Sequence, residues 1–256
     1  MSPELSNKEV SNTPNISIVI PVKNEAGNLK TLVEEIEETL TNQEHFEVIY
    51  VDDGSTDGTS EVLNALSESR PWLRRLSHGT SFGQSAAIRS GARAATGSII
   101  VTLDGDGQNN PKYIPALVKT LRAGNGRTGL VAGQRRARKD SGFKKFQSRI
   151  ANRVRSRILG DGAIDTGCGL KAFWRDVYLA LPYFDGLHRF MPALVIREGY
   201  SIEFVDVVDR PRQTGRSNYG LMDRFWIGMI DLAGVYWLMR RKRRQTQASG
   251  TNAHDR

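Results

Sequence analysis

The sequence predicts an α/β protein, a mostly parallel sheet with helices on its faces. Two observations predict it. Short β-branched apolar runs alternate with longer stretches whose apolar residues fall at helical spacing, and three of the runs end in loops rich in acids and amides. A chain of 256 residues fits one domain with appendages and can bury a substantial core.

Ile16–Val22 reads as a buried strand that ends in the polar loop holding Asn24 and Glu25. Asn28 is placed to cap a helix running to about Leu40, with Leu29, Leu32, Val33, Ile36 and Leu40 on one face. Phe46–Val51 is a second strand and leads into Asp52-Asp-Gly-Ser-Thr-Asp-Gly58. A helix follows over Thr59–Ser67, and another over Phe82–Ala95, stopped by Gly97. Ser98–Leu103 is a third strand, tipped by Asp104-Gly-Asp106. Pro111 opens a helix to Leu121, Leu130–Gly133 is a short strand, Phe143–Leu159 a basic helix and Ile202–Val208 a late strand. In open parallel sheets ligands sit beyond the carboxyl ends of the strands. Asn24 and Glu25, Asp52 and Asp53, and Asp104 and Asp106 therefore converge on one edge.

Charge sharpens this. The formal net charge of +8 is concentrated in Arg135–Arg157 and in Arg240–Arg244, while Glu34–Glu38 is acidic. Such clusters suit a phosphorylated substrate, an anionic membrane surface or nucleic acid. A nucleic-acid module would give the acid-tipped strands no role. The single cysteine, Cys168, excludes an internal disulfide framework and agrees with a reducing compartment, and Met1–Asn15 lacks the pattern of a secretory signal. The expectation is a cytoplasmic protein.

Asp104-Gly-Asp-Gly-Gln108 sets two carboxylates and an amide at alternating positions just after a buried strand. Hard oxygen ligands at this spacing suit Mg²⁺ or Mn²⁺, with a substrate diphosphate completing the sphere. The Asp53-x-Ser55-x-Asp57-Gly58 stretch resembles a calcium loop but has Asn64 at the twelfth position, where a bidentate Glu is needed. It reads better as a strand-to-helix turn whose acid meets a nucleotide base. Gly124-Asn-Gly-Arg-Thr-Gly129 matches a dinucleotide fingerprint but follows a helix and precedes a strand, the reverse of the required context. Cys168 has no nearby His and reads as a small buried residue.

Four segments carry a family resemblance. Pro21-Val-Lys-Asn-Glu25, Val51-Asp-Asp-Gly-Ser-Thr-Asp57, Leu103-Asp-Gly-Asp-Gly-Gln-Asn-Asn-Pro111 and Asp165-Thr-Gly-Cys-Gly-Leu-Lys171 occur in family order. Over Ile16–Tyr219 the chain resembles the dolichol-phosphate mannose synthase branch of the family 2 glycosyltransferases. The resemblance implies a Rossmann-like GT-A fold and an inverting, metal-dependent transfer from a UDP- or GDP-sugar to a polyprenyl phosphate. The product would be a lipid-linked sugar for a cell-envelope glycan or lipid A. It implies that Pro21, Lys23, Glu25, Asp52, Asp53 and Gly105 bind the nucleotide sugar. Asp104, Asp106 and Gln108 hold the metal, and Asp104, Asp106, Arg135 and Arg212 carry catalysis. By the same resemblance Lys144 and Arg149 would face the acceptor phosphate. Two departures stand out: Asn218 replaces the usual lysine after the loop serine, and Asp209 stands where a histidine is common. A rival reading keeps the fold but takes a hydroxyl acceptor, with Asp165 as the base. Another is a partner that binds a nucleotide sugar without turning it over.

The organisation expected is a disordered tail over 1–15, a glycosyltransferase domain over 16–219, an apolar aromatic helix with a basic end over 220–244, and a disordered tail over 245–256. Phe225–Met239 is shorter than the roughly 20 residues a membrane span needs and is interrupted by Asp231. Beside its basic run it suits an amphipathic helix in the interface, making the protein peripheral at the inner face of the cytoplasmic membrane. The alternative is a helix packed on the domain.

Overall fold

The computed structural model describes residues 14–135, 153–210 and 221–241, with side chains of 221–227 excepted. Lys144, Arg149, Arg212 and Asn218 lie outside the described residues, as do most of both tails.

A seven-stranded sheet runs in the order β3-β2-β1-β4-β6-β5-β7. Its strands are β1 (Ile16–Val22), β2 (Phe46–Asp53), β3 (Leu73–His78), β4 (Ile99–Thr102), β5 (Thr128–Arg135), β6 (Lys171–Trp174) and β7 (Ser201–Val207). All are parallel except β6, which runs antiparallel to both β4 and β5. β1 and β2 are apolar and almost wholly buried, as strands covered on both faces must be. The edge strand β3 (Leu-Arg-Arg-Leu-Ser-His) is mostly solvated, and its polar residues gave no strand signal.

The helices form the outer layers. α1 (Ala26–Leu40), α2 (Thr59–Glu68) and α4 (Ile114–Ala123) cover one face, whose core includes Ile18, Ile20, Leu29, Ile36, Tyr50 and Leu117. α3 (Gln84–Ala94), α6 (Arg175–Ala180), α7 (Met191–Arg197) and α8 (Leu221–Arg240) cover the other, around Val19, Ile49, Ile100, Phe173 and Leu194. Each such buried side chain contributes roughly 1.5–3 kcal/mol of transfer free energy. Helix α5 spans residues 153–159, the described end of the basic helix expected from sequence. α1 begins earlier than expected: Glu25 is its N-cap residue, and Asn28 lies inside the first turn, donating from Nδ2 to Glu25 Oε2 at 2.5 Å.

α8 packs on the domain along one side and is exposed along the other. Val235 is buried, and Leu232, Leu238 and Met239 pack on the core. Arg197 donates from Nε to the Leu238 carbonyl at 3.0 Å and so ties the helix to α7. The opposite side leaves Ile230 70% and Trp237 57% exposed, with Met229 and Tyr236 beside them. Arg240 and Arg241 stack over Tyr236 and Trp237, each 4.6 Å from the ring centre. Among the described residues no helix is long and apolar enough to cross a membrane.

Candidate active site

The carboxyl ends of β1, β2 and β4 meet as expected. The loops after β1 and β2 are stitched together: Asn24, in a left-handed conformation (φ 57°), donates its N–H to Ser55 Oγ at 2.9 Å and accepts from the Thr56 N–H at 2.8 Å. The Glu25 N–H donates to Thr59 Oγ1 at 3.0 Å. Within this rim Lys23 is exposed, and Pro21 and Glu25 are half-buried.

Asp52 and Asp53 turn inward. Asp52 accepts from the Ser55 N–H at 2.9 Å and from the Ser60 hydroxyl, so both oxygens already serve the turn. Asp53 accepts from the N–H groups of Phe82 and Gly83, from Ser81 and from His78 Nδ1, at 2.7 to 2.9 Å. Burial raises its pKa, but these donors outweigh burial and hold it below the ordinary carboxylate value. Asp53 thus fixes the segment that delivers Gln84 to the site.

Asp104 and Asp106 follow β4. Gln84 Nε2 donates to Asp104 Oδ1 at 2.8 Å, and the Asp104 N–H donates to Asn109 Oδ1 at 3.0 Å. Asp106 is buried and accepts from the Gln108 N–H at 3.1 Å, which curls the loop back on itself. Burial first, then the neighbouring Asp106 and Asp209, push Asp104 up to about 6, against the pull of Lys171 and Arg135. A buried carboxylate whose ionisation is this costly, with a second one two residues away, suits a divalent cation, and oxygen donors such as those of Asp104, Asp106 and Gln108 are of the type that Mg²⁺ or Mn²⁺ takes. Gly105 is required here, because a Cβ would lie well inside 3.0 Å of Val22 Cγ1. Gly169 approaches Asp104 as closely: a Cβ there would run into all three atoms of the carboxyl group.

Arg135 closes β5 with its side chain only 9% exposed. It grips Asp165 through Nε and Nη2, the latter at 2.8 Å, and donates from Nη1 to Asp209 at 2.9 Å. Burial alone would lower its pKa, but Asp165 and Asp209 raise it, so it stays charged. Asp209 also accepts from Asn109 Nδ2 at 3.1 Å, linking Arg135 to the acidic loop. Next to it, the Arg210 N–H donates to the Gln108 carbonyl at 2.9 Å, and its guanidinium makes a bidentate pair with Glu35 at 2.5 and 2.6 Å.

Sequence reasoning missed the floor. A cavity of about 270 Å³ opens below Asp104, lined by Gln84, Asp165, Cys168, Lys171, His188 and Arg189 among others. Lys171 is 4% exposed and donates to the Cys168 carbonyl. Burial lowers its pKa, opposed by Cys168 and Asp104. Cys168 is fully buried with its thiol pushed up to about 11, chiefly by burial, which makes it an inert packing residue. His188 pairs through Nδ1 with Ser85 Oγ at 2.7 Å, and burial, then Lys171 and Arg189, bring it down to about 3, so it is neutral.

The model of "Glycosyl transferase family 2" matches residues 17–181, and so covers the acid-tipped strands, the Asp104–Gln108 loop and the Asp165–Lys171 segment. The chain belongs to glycosyl transferase family 2. Among family relatives, the dodecaprenyl-phosphate galacturonate synthase of Rhizobium johnstonii is 36% identical over 236 residues, covering 90% of this chain and 68% of the relative. The undecaprenyl-phosphate 4-deoxy-4-formamido-L-arabinose transferase of Serratia proteamaculans is 34% identical over 209 residues, covering 81% of this chain. The family 2 chain thus spans 63% to 68% of the length of these relatives. In structure it resembles glucosyl-3-phosphoglycerate synthase from Mycobacterium tuberculosis, solved with Mn²⁺, UDP and glucosyl-3-phosphoglycerate. The TM-score is 0.63 at 18% identity, over 88% of this chain and 80% of that one, a likeness of fold. A mannosyltransferase from Pyrobaculum calidifontis, in complex with GDP-Man and Mn²⁺, matches with TM-score 0.60 and 25% identity over 80% of this chain and 59% of that one. The family 2 sheet is therefore of the GT-A type anticipated from the motifs.

Proposed function

We propose that the chain is an inverting glycosyltransferase that moves a sugar from a nucleotide-sugar donor to a polyprenyl phosphate at a membrane surface. The observation that carries this is the junction of three acid-tipped parallel strands with a buried arginine beside the Asp104–Asp106 pair. The polyprenyl-phosphate acceptor is supported by the names of the two relatives, which share it while differing in sugar.

Asp104, Asp106 and Gln108 would hold Mg²⁺ or Mn²⁺, which when bound supplies a Lewis acid for the leaving nucleoside diphosphate. The chain's own groups do the positioning. Gln84 and Asn109 orient Asp104, while Asn109 and Asp209 set its loop against Arg135. Arg135 is a fixed cation tied to this loop through Asp209 and Asn109, and Arg212, Lys144 and Arg149 supply further positive charge for donor and acceptor phosphates. An acceptor phosphate is ionised near neutral pH and needs no strong base. Asp165 agrees with this: both of its oxygens accept from Arg135, an arrangement made to orient an arginine. The exposed face of α8, with Ile230 and Trp237 beside Arg240 and Arg241, suits an interface with anionic lipid. This reading places the protein as a peripheral one at the inner face of the cytoplasmic membrane.

The test is transfer of radiolabel from each UDP- and GDP-sugar to a polyprenyl phosphate with Mn²⁺ or Mg²⁺, counted in the organic phase. Label in lipid that vanishes with chelator supports the reading. Hydrolysis of one donor with no lipid label would move the acceptor to a hydroxyl glycan, and inertness toward every donor would defeat the reading.

A further inference from the structure

The cavity below Asp104 is where the sugar of a donor would lie, and its polar wall sets the donors Lys171, His188 and Arg189 beside the carboxylates of Asp104 and Asp165. Lys171 enters it as the first residue of β6, its Cα paired with Thr102 on one side and Ala132 on the other, so the backbone holds it rigidly. The Lys171 side chain is buried, and among the described residues it forms no ion pair; its one hydrogen bond goes to a neutral carbonyl, that of Cys168. The carboxylates on the wall are engaged elsewhere: Asp104 with Gln84, Asp165 with Arg135. Asp104 and Asp165 act on Lys171 only through space, and a buried cation with no carboxylate in direct contact is costly unless a ligand supplies one.

His188 adds a second donor. Its backbone N–H donates to Ser85 Oγ at 3.4 Å, so that hydroxyl is free to donate to His188 Nδ1 at 2.7 Å. The neutral ring then carries its proton on Nε2 and can donate to a ligand. Arg189, exposed at the rim, adds positive charge.

We propose that this cavity selects a donor whose sugar carries a carboxylate, with Lys171 as the counter-charge and His188 Nε2–H as a second donor. A hydroxymethyl group in the same place would fill the space but leave the ammonium with no carboxylate in contact. A site built around a buried charged group rejects a partner that cannot answer it more strongly than a merely apolar pocket would. The proposal rests on the nucleotide-sugar reading above and narrows the sugar that the reading leaves open.

The experiment is calorimetric binding to the full chain with Mn²⁺, using donors matched at every atom except C6. The pairs are UDP-galacturonate with UDP-galactose, UDP-glucuronate with UDP-glucose and GDP-mannuronate with GDP-mannose, with UDP and GDP as references. In at least one pair the uronate should bind about ten-fold tighter or more. That preference should collapse toward unity in Lys171→Met and survive in Lys171→Arg. If UDP or GDP binds but every neutral sugar equals its uronate partner, the proposal is overturned while the nucleotide-sugar reading stands. If neither UDP nor GDP binds, both fall. The wild-type pairs test the proposal even where Lys171→Met does not fold, and a preference that persists undiminished in a folded Lys171→Met refutes the role of Lys171.

Discussion

Gly169→Ala would place a methyl group against the Asp104 carboxyl, whose three atoms all lie too close to the position of an added Cβ. Real Cβ atoms essentially never approach within 3.0 Å, and ordinary contact begins near 3.4 Å. Backbone retreat is blocked, since the Gly169 carbonyl accepts from Thr102 Oγ1 at 2.7 Å and Lys171 pairs directly with Thr102 in the sheet. The carboxyl group therefore has to yield by about 1 Å, a displacement that costs on the order of a hundred-fold when it moves a catalytic group. It would also stretch the Gln84 bond to Asp104, now 2.8 Å. Overpacking of this kind destabilises by about 1–3 kcal/mol, so the melting temperature should fall by several degrees, about 2–4 °C per kcal/mol. The assay is Mn²⁺ titration of donor binding and of turnover, read beside thermal melts. Expected is a folded protein whose metal-dependent turnover drops about a hundred-fold. Wild-type Mn²⁺ affinity and turnover in Gly169→Ala would show that the carboxylate is not held where the geometry puts it.

Asp106→Ala should abolish metal-dependent turnover with circular dichroism unchanged, and normal turnover would remove Asp106 from the metal site. Because Asp104 titrates at about 6, protons and metal compete for it: Mn²⁺ affinity, measured by calorimetry, should be flat above pH 7 and weaken toward ten-fold per unit below pH 6. Asp53→Ala strands two backbone N–H groups and should cost on the order of 3 kcal/mol in urea melts. The Asp53 pKa is lowered on folding, so its stabilisation is complete above the unfolded value of about 3.9 and is lost as pH falls through the folded one; the gap between wild type and variant should close in acid. Paired Ile230→Ser and Trp237→Ser changes should reduce co-sedimentation with anionic vesicles several-fold without shifting the melt, and unchanged co-sedimentation would shift membrane contact away from α8.

The acid-tipped edge was legible because β1, β2 and β4 are central, parallel and buried on both faces, so each appears as an unbroken apolar run with its functional residues just beyond. β3 and β6 left no such mark. One is a solvated edge, and the other, Lys-Ala-Phe-Trp, opens on a lysine whose burial only the assembled sheet explains. Asp104, Asp106 and Gln108, the proposed metal ligands, sit within one loop and could be singled out by spacing. The cavity floor could not, since it joins side chains as distant as Ser85 and His188. Arg135 was identified by its motif, but its grip on Asp165 and Asp209 depends on loops that only the sheet order brings together. Asp53 shows a different limit: its hydrogen bonds to the Ser81–Gly83 segment and to His78 depend on the assembled sheet, and composition does not show them.

The reversed strand β6 has a consequence for how the molecule comes to be made. β1, β2 and β4 pair using nothing beyond Thr102, so that half of the sheet can assemble while the rest of the chain is still being synthesised. β4 acquires its other neighbour only when Lys171 arrives to pair with Thr102, and that same strand carries in the Asp165–Gly169 segment from its leading end. The acidic loop thus exists early as an open rim and becomes an enclosed site only at a late, long-range step. Pulsed hydrogen exchange during refolding should find the amides of β1 and β2 protected before those of β6.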